Sequence, residues 1–329
     1  MQYTQLGQTG LTVSVAGLGT GGNSRIGQGT GRPMADSIAL VRAARDLGVT
    51  FFDTAEAYGT EEILGQAFSP LERQSVVVST KSRISRNLVQ GGEPLTAQDV
   101  VANLDASLKR LKTDYVDVFM LHGVPPRSCD YARDVLLPAL LKERDKGKAR
   151  HIGLSETAPN DPDHTMLGRA LEEPAWGVVM LAYHMLHQGA RRTLLPKAKA
   201  QGVGTLMMFV VRNIFSKPGL LRETVAKLVA DGRLPAEYAA KDNPLDFLMH
   251  PAGAASLTDA AYRFVRHEPG CDVVLFGTSS IAHMKSNVAS ILAPPLPSAD
   301  LARLFDAFGA LSGVGLDLPH ASSPPQKPA

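Results

Sequence analysis

Ser75-Val76-Val77-Val78-Ser79-Thr80-Lys81 is a short β-branched run that stops on a lysine, and it has a counterpart on either side. Upstream, Thr50-Phe51-Phe52 stops on Asp53; downstream, Val118-Phe119-Met120-Leu121 stops on His122. Apolar, β-branched runs of this length read as strands. Working outward from these three, strand-like segments fall at 13–18, 50–53, 75–80, 116–121, 149–154, 178–181, 205–208 and 273–276. Amphipathic stretches near 36–47, 60–68, 97–111, 131–146, 165–172, 193–201, 257–267 and 282–291 read as helices, so every strand is followed by a helix. This alternation predicts a parallel sheet, and eight units predict closure into a single α/β TIM barrel, (β/α)8.

Local signals support the boundaries. Asp36 and Thr96 stand where helices need an N-cap, and Gly48 and Gly147 where helices should stop. Gly7-Gln8-Thr9-Gly10 separates two short β-like runs, an N-terminal β-hairpin that would cover the bottom of the barrel. Residues 212–256, rich in proline and glycine, read as a long insertion after strand 7, on the face where long loops serve the active site. The barrel is expected over 1–312, followed by a Pro/Ser-rich, mobile tail over 313–329.

Bulk properties narrow the function. The chain has 34 Lys+Arg against 32 Asp+Glu, a net charge of +2, which gives no broad electrostatic footprint for nucleic acid or an anionic membrane. Two cysteines, Cys129 and Cys271, lie far apart without metal-ligand spacing, as suits free thiols in a reducing compartment. The N-terminus lacks a basic, then apolar, leader, and no apolar run approaches the ~20 residues of a membrane span. A cytoplasmic location is expected, with no nucleic-acid or membrane partner.

Gly17-Leu18-Gly19-Thr20-Gly21-Gly22 satisfies the G-x-G-x-x-G pattern after a strand. A Rossmann fingerprint also needs a helix to begin there, and Gly27, Gly29, Gly31 and Pro33 forbid one. The segment reads instead as a loop at the barrel mouth, either touching a cofactor through Gly19 and Thr20 or serving purely as a turn. His184 and His187 read as ordinary loop positions, since no third ligand follows, and no metal is expected.

The chemistry lies in the strand ends. In a (β/α)8 barrel the C-terminal ends of the strands converge on one mouth. Asp53, Lys81 and His122 would meet there, and Tyr58 follows Asp53 by five residues, on the loop facing the same mouth. Singly each has a structural explanation as a cap, packing group or surface charge; jointly they form an acid-base site. A tyrosine titrating near 10 is a poor acid at neutral pH, and an adjacent ammonium lowers that value. Lys81 supplies the ammonium, Asp53 holds it charged, and His122 orients a substrate oxygen toward Tyr58.

Phe52-Asp53-Thr54-Ala55-Glu56-Ala57-Tyr58-Gly59, with Ser79-Thr80-Lys81 and Leu121-His122, resembles the D-T-A-x-x-Y-G motif and the strand-end lysine and histidine of the aldo-keto reductases. The resemblance runs from Leu6-Gly7-Gln8-Thr9-Gly10-Leu11 to Asn287. It implies NAD(P)H-dependent reduction of an aldehyde or ketone, or the reverse oxidation, with NADP(H) in preference to NAD(H) and a small-molecule carbonyl or alcohol as substrate. The cofactor would lie across the mouth. Around the nicotinamide the resemblance implies Ser155 and Met208, although Glu156, Met180 and Met208 replace the family's usual asparagine, glutamine and aromatic residue. At the adenosine end it implies Gly277, Thr278, Ser279, His283 and Asn287, with His283 where relatives carry arginine. Two rivals remain: a barrel aldolase forming a Schiff base on Lys81, and a regulatory protein that binds cofactor with negligible turnover.

Overall fold

The computed structural model describes residues 1–86 and 92–317. Strands β1 (Tyr3–Gln5) and β2 (Thr12–Ser14) form an antiparallel hairpin in the register Thr4 opposite Val13. Strands β3 (Ala16–Gly19), β4 (Phe51–Asp53), β5 (Val77–Arg83), β6 (Val116–Val124), β7 (Ala149–Glu156), β8 (Val178–Ala182), β9 (Gly204–Met208) and β10 (Val273–Phe276) form a closed parallel barrel in which β10 pairs with β3. The expected first strand, 13–18, is therefore two. Ser14 breaks it: its hydroxyl donates to the Ala16 carbonyl at 2.6 Å and accepts from the Thr50 amide at 2.9 Å, in place of a ladder bond.

Alternation along each strand sorts its side chains between two cores. Phe51, Val77, Val118, Met120, Val178, Met180, Leu206 and Val273 fill the barrel interior, and Leu6, Leu11 and Val13 of the hairpin plug its lower end. The opposite parity, including Leu18, Phe52, Val78, Phe119, Leu154, Val179 and Val274, packs outward against the helices. The same parity decides the site: Asp53 follows Phe51 by two residues, Lys81 follows Val77 by four, and His122 follows Val118 by four, so all three point inward at the upper end.

Helices Met34–Asp46, Glu61–Ala67, Ala97–Leu111, Leu137–Asp145, Thr165–Ala170, Leu194–Gln201, Leu257–Arg266 and Ile281–Leu292 fall where periodicity places them. Thr96 and Asp99 form a capping box, and Gly48 and Gly147 terminate helices at φ of +88° and +86°. Asp36 is not the expected cap. Pro33 holds that place, and Asp36 lies in the first turn, where a carboxylate complements the helix dipole. The stretch expected as one helix over 131–146 is broken by a π-turn at Ala132–Leu136, just before Pro138, which has no N–H to continue the ladder.

The 212–256 insertion holds a regular helix, Leu220–Ala230, with Leu221, Val225 and Leu228 buried at helical spacing. A further helix, Ser298–Phe308, packs Leu304 and Phe308 into the core. Beyond the expected barrel end at residue 312 the chain stays packed. Leu316 joins Ala158 and Ala182, and Asp317 accepts from Arg212 Nη2 at 3.1 Å and Asn213 Nδ2 at 2.6 Å. The rest of the expected mobile tail, 318–329, lies outside the described residues. Among the described residues no helix is long and apolar enough to cross a membrane.

Candidate active site

The barrel brings Asp53, Tyr58, Lys81 and His122 together at its upper mouth. Lys81 is fully buried; its Nζ donates to Asp53 Oδ1 and Oδ2, both at 2.7 Å, and to the Thr54 carbonyl at 2.8 Å. Ser79 Oγ donates to the same carboxylate. Burial alone would drive the lysine toward its neutral form, but Asp53 and Tyr58 together outweigh it and hold the ammonium above its ordinary pKa. Tyr58 ends a 3-10 turn, Glu56–Tyr58, which Gly59 closes at φ +70°. Its hydroxyl lies 3.3 Å from His122 Nε2, and Lys81 Nζ lies 5.0 Å from its ring centroid.

One expectation is reversed here. Burial raises the Tyr58 phenol above its ordinary value, Lys81 opposes the rise without overcoming it, and the nearby Asp53 carboxylate cancels part of the lysine's effect. Tyr58 is thus a protonated phenol throughout the neutral range. Burial, with the charges of Lys81 and Arg83, presses the His122 pKa down to about 3, so the ring is neutral. Its Nδ1 is buried without a hydrogen-bond partner among the described residues. A proton on Nε2 leaves only a lone pair unmatched there, which costs less than an orphaned N–H. We therefore assign Nε2–H as a donor toward the cleft.

A cleft of about 880 Å³ opens over these groups, in the range of small-molecule and cofactor sites. Gly19, Ser155, Met208, Gly277, Thr278, Ser279, His283 and Asn287, all expected at the cofactor, line it. Thr20 does not: its hydroxyl turns away to Thr60 Oγ1 at 2.7 Å, and Thr60 continues to Thr54 at 2.9 Å, a buried chain that ties down the Asp53–Tyr58 loop. No helix starts at the 17–22 glycines, as expected; a 3-10 turn, Arg25–Thr30, follows instead. Gly21 has a packing reason, since a Cβ there would lie 2.3 Å from the Tyr58 ring.

Glu156 stands where the family's usual residue is asparagine, and a carboxylate there could only accept a hydrogen bond. Both of its oxygens are occupied, Oε1 by the Ala182 amide at 2.8 Å and Oε2 by His164 Nδ1 at 2.8 Å. Burial raises its pKa while His164 opposes the rise. His184 and His187, expected in ordinary loops, are fully buried, and the Gly313 amide donates to His187 Nδ1 at 3.2 Å, so they anchor the C-terminal segment. Among the described residues no group of three metal-ligating side chains could hold a metal ion.

Reading the sequence missed Phe209, next to Met208 on the cleft wall. It stands at φ +64° with the Arg212 guanidinium 4.3 Å above its ring. An aromatic residue in the left-handed region marks a constrained position, but no motif signals that conformation in a sequence.

The residues suit a nicotinamide dinucleotide. The floor at Gly19 and Gly277 is bare of side chains, hydroxyls line the far end, and a buried acid-base cluster faces the near end. Fold and site together set a buried cluster of acid-base side chains at the mouth of a closed barrel, inside a cofactor-sized cleft. Residues 17–307 match the model of the aldo/keto reductase family. The chain is 29% identical over 299 residues to L-galactose dehydrogenase of Arabidopsis thaliana, covering 88% of each protein. It is 31% identical over 251 residues to the NADH-specific methylglyoxal reductase of Escherichia coli, covering 69% of this chain and 71% of that one. An aldo-keto reductase structure from Bacillus halodurans shares the fold, with a TM-score of 0.71 at 22% identity, covering 96% of this chain and 100% of that one. The chain belongs to the aldo/keto reductase family and is an NAD(P)-dependent oxidoreductase.

Proposed function

We propose that the protein reduces an aldehyde or ketone to an alcohol, with Tyr58 as the general acid and NADPH preferred to NADH. The observation that carries this reading is the fully buried Lys81, bonded to both oxygens of Asp53 and set under the ring of a tyrosine whose hydroxyl faces His122. When bound, the reduced cofactor supplies hydride to the carbonyl carbon. His122 Nε2–H and the Tyr58 hydroxyl form a two-donor cradle for the carbonyl oxygen. Tyr58 releases its proton to that oxygen as negative charge develops, and Lys81 stabilises the phenolate left behind. A buried phenol is a weak acid in the resting site, so the lysine acts mainly in the transition state, where the charge appears. Asp53 keeps Lys81 an ammonium. That protonation state disfavours the aldolase alternative, which needs a neutral amine to attack a carbonyl.

Ser155, Met208 and Gly19 stand beside the nicotinamide in this reading, and Gly277, Thr278, Ser279, His283 and Asn287 beside the adenosine. The carboxylates lining the cleft are Asp53 and Glu156, both at the catalytic end. Among the described residues the adenosine end therefore presents no acid to a ribose 2′-hydroxyl, which supports NADPH. Free, buried Cys129 and Cys271 support a reducing compartment such as the cytoplasm. A panel of aldehydes and ketones, followed by consumption of NADPH and of NADH in parallel, tests the reading. Carbonyl-dependent oxidation, faster with NADPH at limiting cofactor, is expected. No carbonyl-dependent oxidation of either cofactor would overturn it.

A further inference from the structure

We propose that Arg32 reads the 2′-phosphate of the cofactor, standing in for the arginine that position 283 lacks; the inference rests on the cofactor reading above. Arg32 lies at the end of the glycine-rich loop that follows β3. Its Nη1 donates to the Ser279 carbonyl at 2.8 Å, which joins parts of the chain 247 residues apart and holds the guanidinium beside a residue of the cleft wall. His283 lines the cleft too.

The side chain packs against its own loop. Gly27, at φ +110°, leaves room for the arginine stem: a Cβ on Gly27 would stand 3.2 Å from both Cβ and Cδ of Arg32. The stem thus packs beside Gly27, and the Ser279 carbonyl holds the guanidinium. Its acceptor is a neutral carbonyl, and among the described residues no carboxylate pairs with Arg32. The full positive charge and the remaining N–H donors stay available in the planar fork that suits phosphate.

Lys285, six residues beyond Ser279, shares that sign. The Ile281–Leu292 helix carries His283 and Lys285 and no acidic residue. An adenosine bearing a phosphate monoester on its ribose is the ligand class that this arrangement fits; a bare ribose hydroxyl gains nothing from it. Residue 32 escapes a reading by motif because the loop between β3 and the next helix has no fixed spacing to the β10 junction. The fold alone brings them together.

Calorimetric titration of NADP⁺ and NAD⁺, which differ only in the 2′-phosphate, tests the assignment on wild type, Arg32→Ala, Arg32→Lys and His283→Ala. Circular dichroism checks that each variant is folded. Arg32→Ala should weaken NADP⁺ by about tenfold, the low end for a hydrogen bond to a charged group, and change NAD⁺ by less than about twofold. Arg32→Lys should lie between, because it keeps the charge and loses the fork. Added salt should narrow the gap between wild type and Arg32→Ala. Equal weakening of both cofactors would reduce Arg32 to a loop tie, and unchanged NADP⁺ binding would remove it from the site; either result overturns the inference. Wild-type protein that binds neither cofactor would instead overturn the nicotinamide reading itself.

Discussion

Replacing Lys81 by methionine separates the structural from the catalytic work of the buried pair. Methionine keeps the length and most of the apolar volume of the stem, but removes three hydrogen bonds of 2.7, 2.7 and 2.8 Å. Asp53, whose side chain is only 5% exposed, then keeps the Ser79 hydroxyl but loses its cation. Removing one partner of a buried ion pair costs about 3–5 kcal/mol, most of it from the charge left uncompensated. Urea unfolding followed by circular dichroism should show a loss of that size. The Tyr58 phenol also loses the charge that restrains its rise, so carbonyl reduction should fall by about 10² or more. The double variant Asp53→Asn with Lys81→Met has no charge to strand. It should recover most of the lost stability and none of the lost rate. Recovery of turnover in the double variant would refute the coupling of Lys81 to Tyr58, and a stability loss below about 1 kcal/mol in the single one would refute the weight given to the Lys81–Asp53 pair.

Gly21→Ala should leave the barrel folded and reduce turnover by about 10², because the added methyl carbon, 2.3 Å from the ring, must push Tyr58 aside; near-normal kcat would show that the tyrosine's position is not critical. The pH profile of reduction should be flat through neutrality and fall only on the alkaline side of the ordinary tyrosine range, since burial raises the phenol; the His122 ring, with its pKa near 3, should add no limb between pH 5 and 8. Acid should unfold the protein steeply. His122 and His187 are held neutral with pKa values of about 3 against 6.5 when unfolded, and His184 is also held well below 6.5, so the unfolded chain binds more protons as pH falls. Their stabilisation is complete above pH 6.5 and is lost below it, at roughly 1.4 kcal/mol per pH unit for each group. Urea midpoints measured from pH 7 down to 5 check this, with a shallower slope expected for His187→Asn.

The meeting of Asp53, Lys81 and His122 at one mouth was legible because two simple periods coincide. Alternation along β4, β5 and β6 fixes which face Asp53, Lys81 and His122 share, and parallel closure fixes which end. The lining of the cleft was legible where glycine and hydroxyl residues follow a strand directly, as at Gly277–Ser279. Three kinds of feature were not. Helix Leu220–Ala230 hides between Pro218-Gly219 and Gly232, whose breaking signals mask the spacing of Leu221, Val225 and Leu228. The burial of His184 and His187 depends on residues 313–317 folding back over them, a contact that a local pattern does not encode. The direction of the Tyr58 shift depends on the balance of desolvation against charge, and sequence names the charges without giving the depth.

The most direct test of the central claim is a single-turnover experiment: enzyme holding stoichiometric NADPH is mixed with excess aldehyde, and oxidation of the bound cofactor is timed for wild type and for Tyr58→Phe. Loss of a general acid removes about 10²–10⁴ from the rate, so the variant should oxidise its cofactor slower by that factor while binding it with unchanged affinity. Tyr58→Phe protein that is folded, binds NADPH and oxidises it at close to the wild-type rate would contradict Tyr58 as the proton donor.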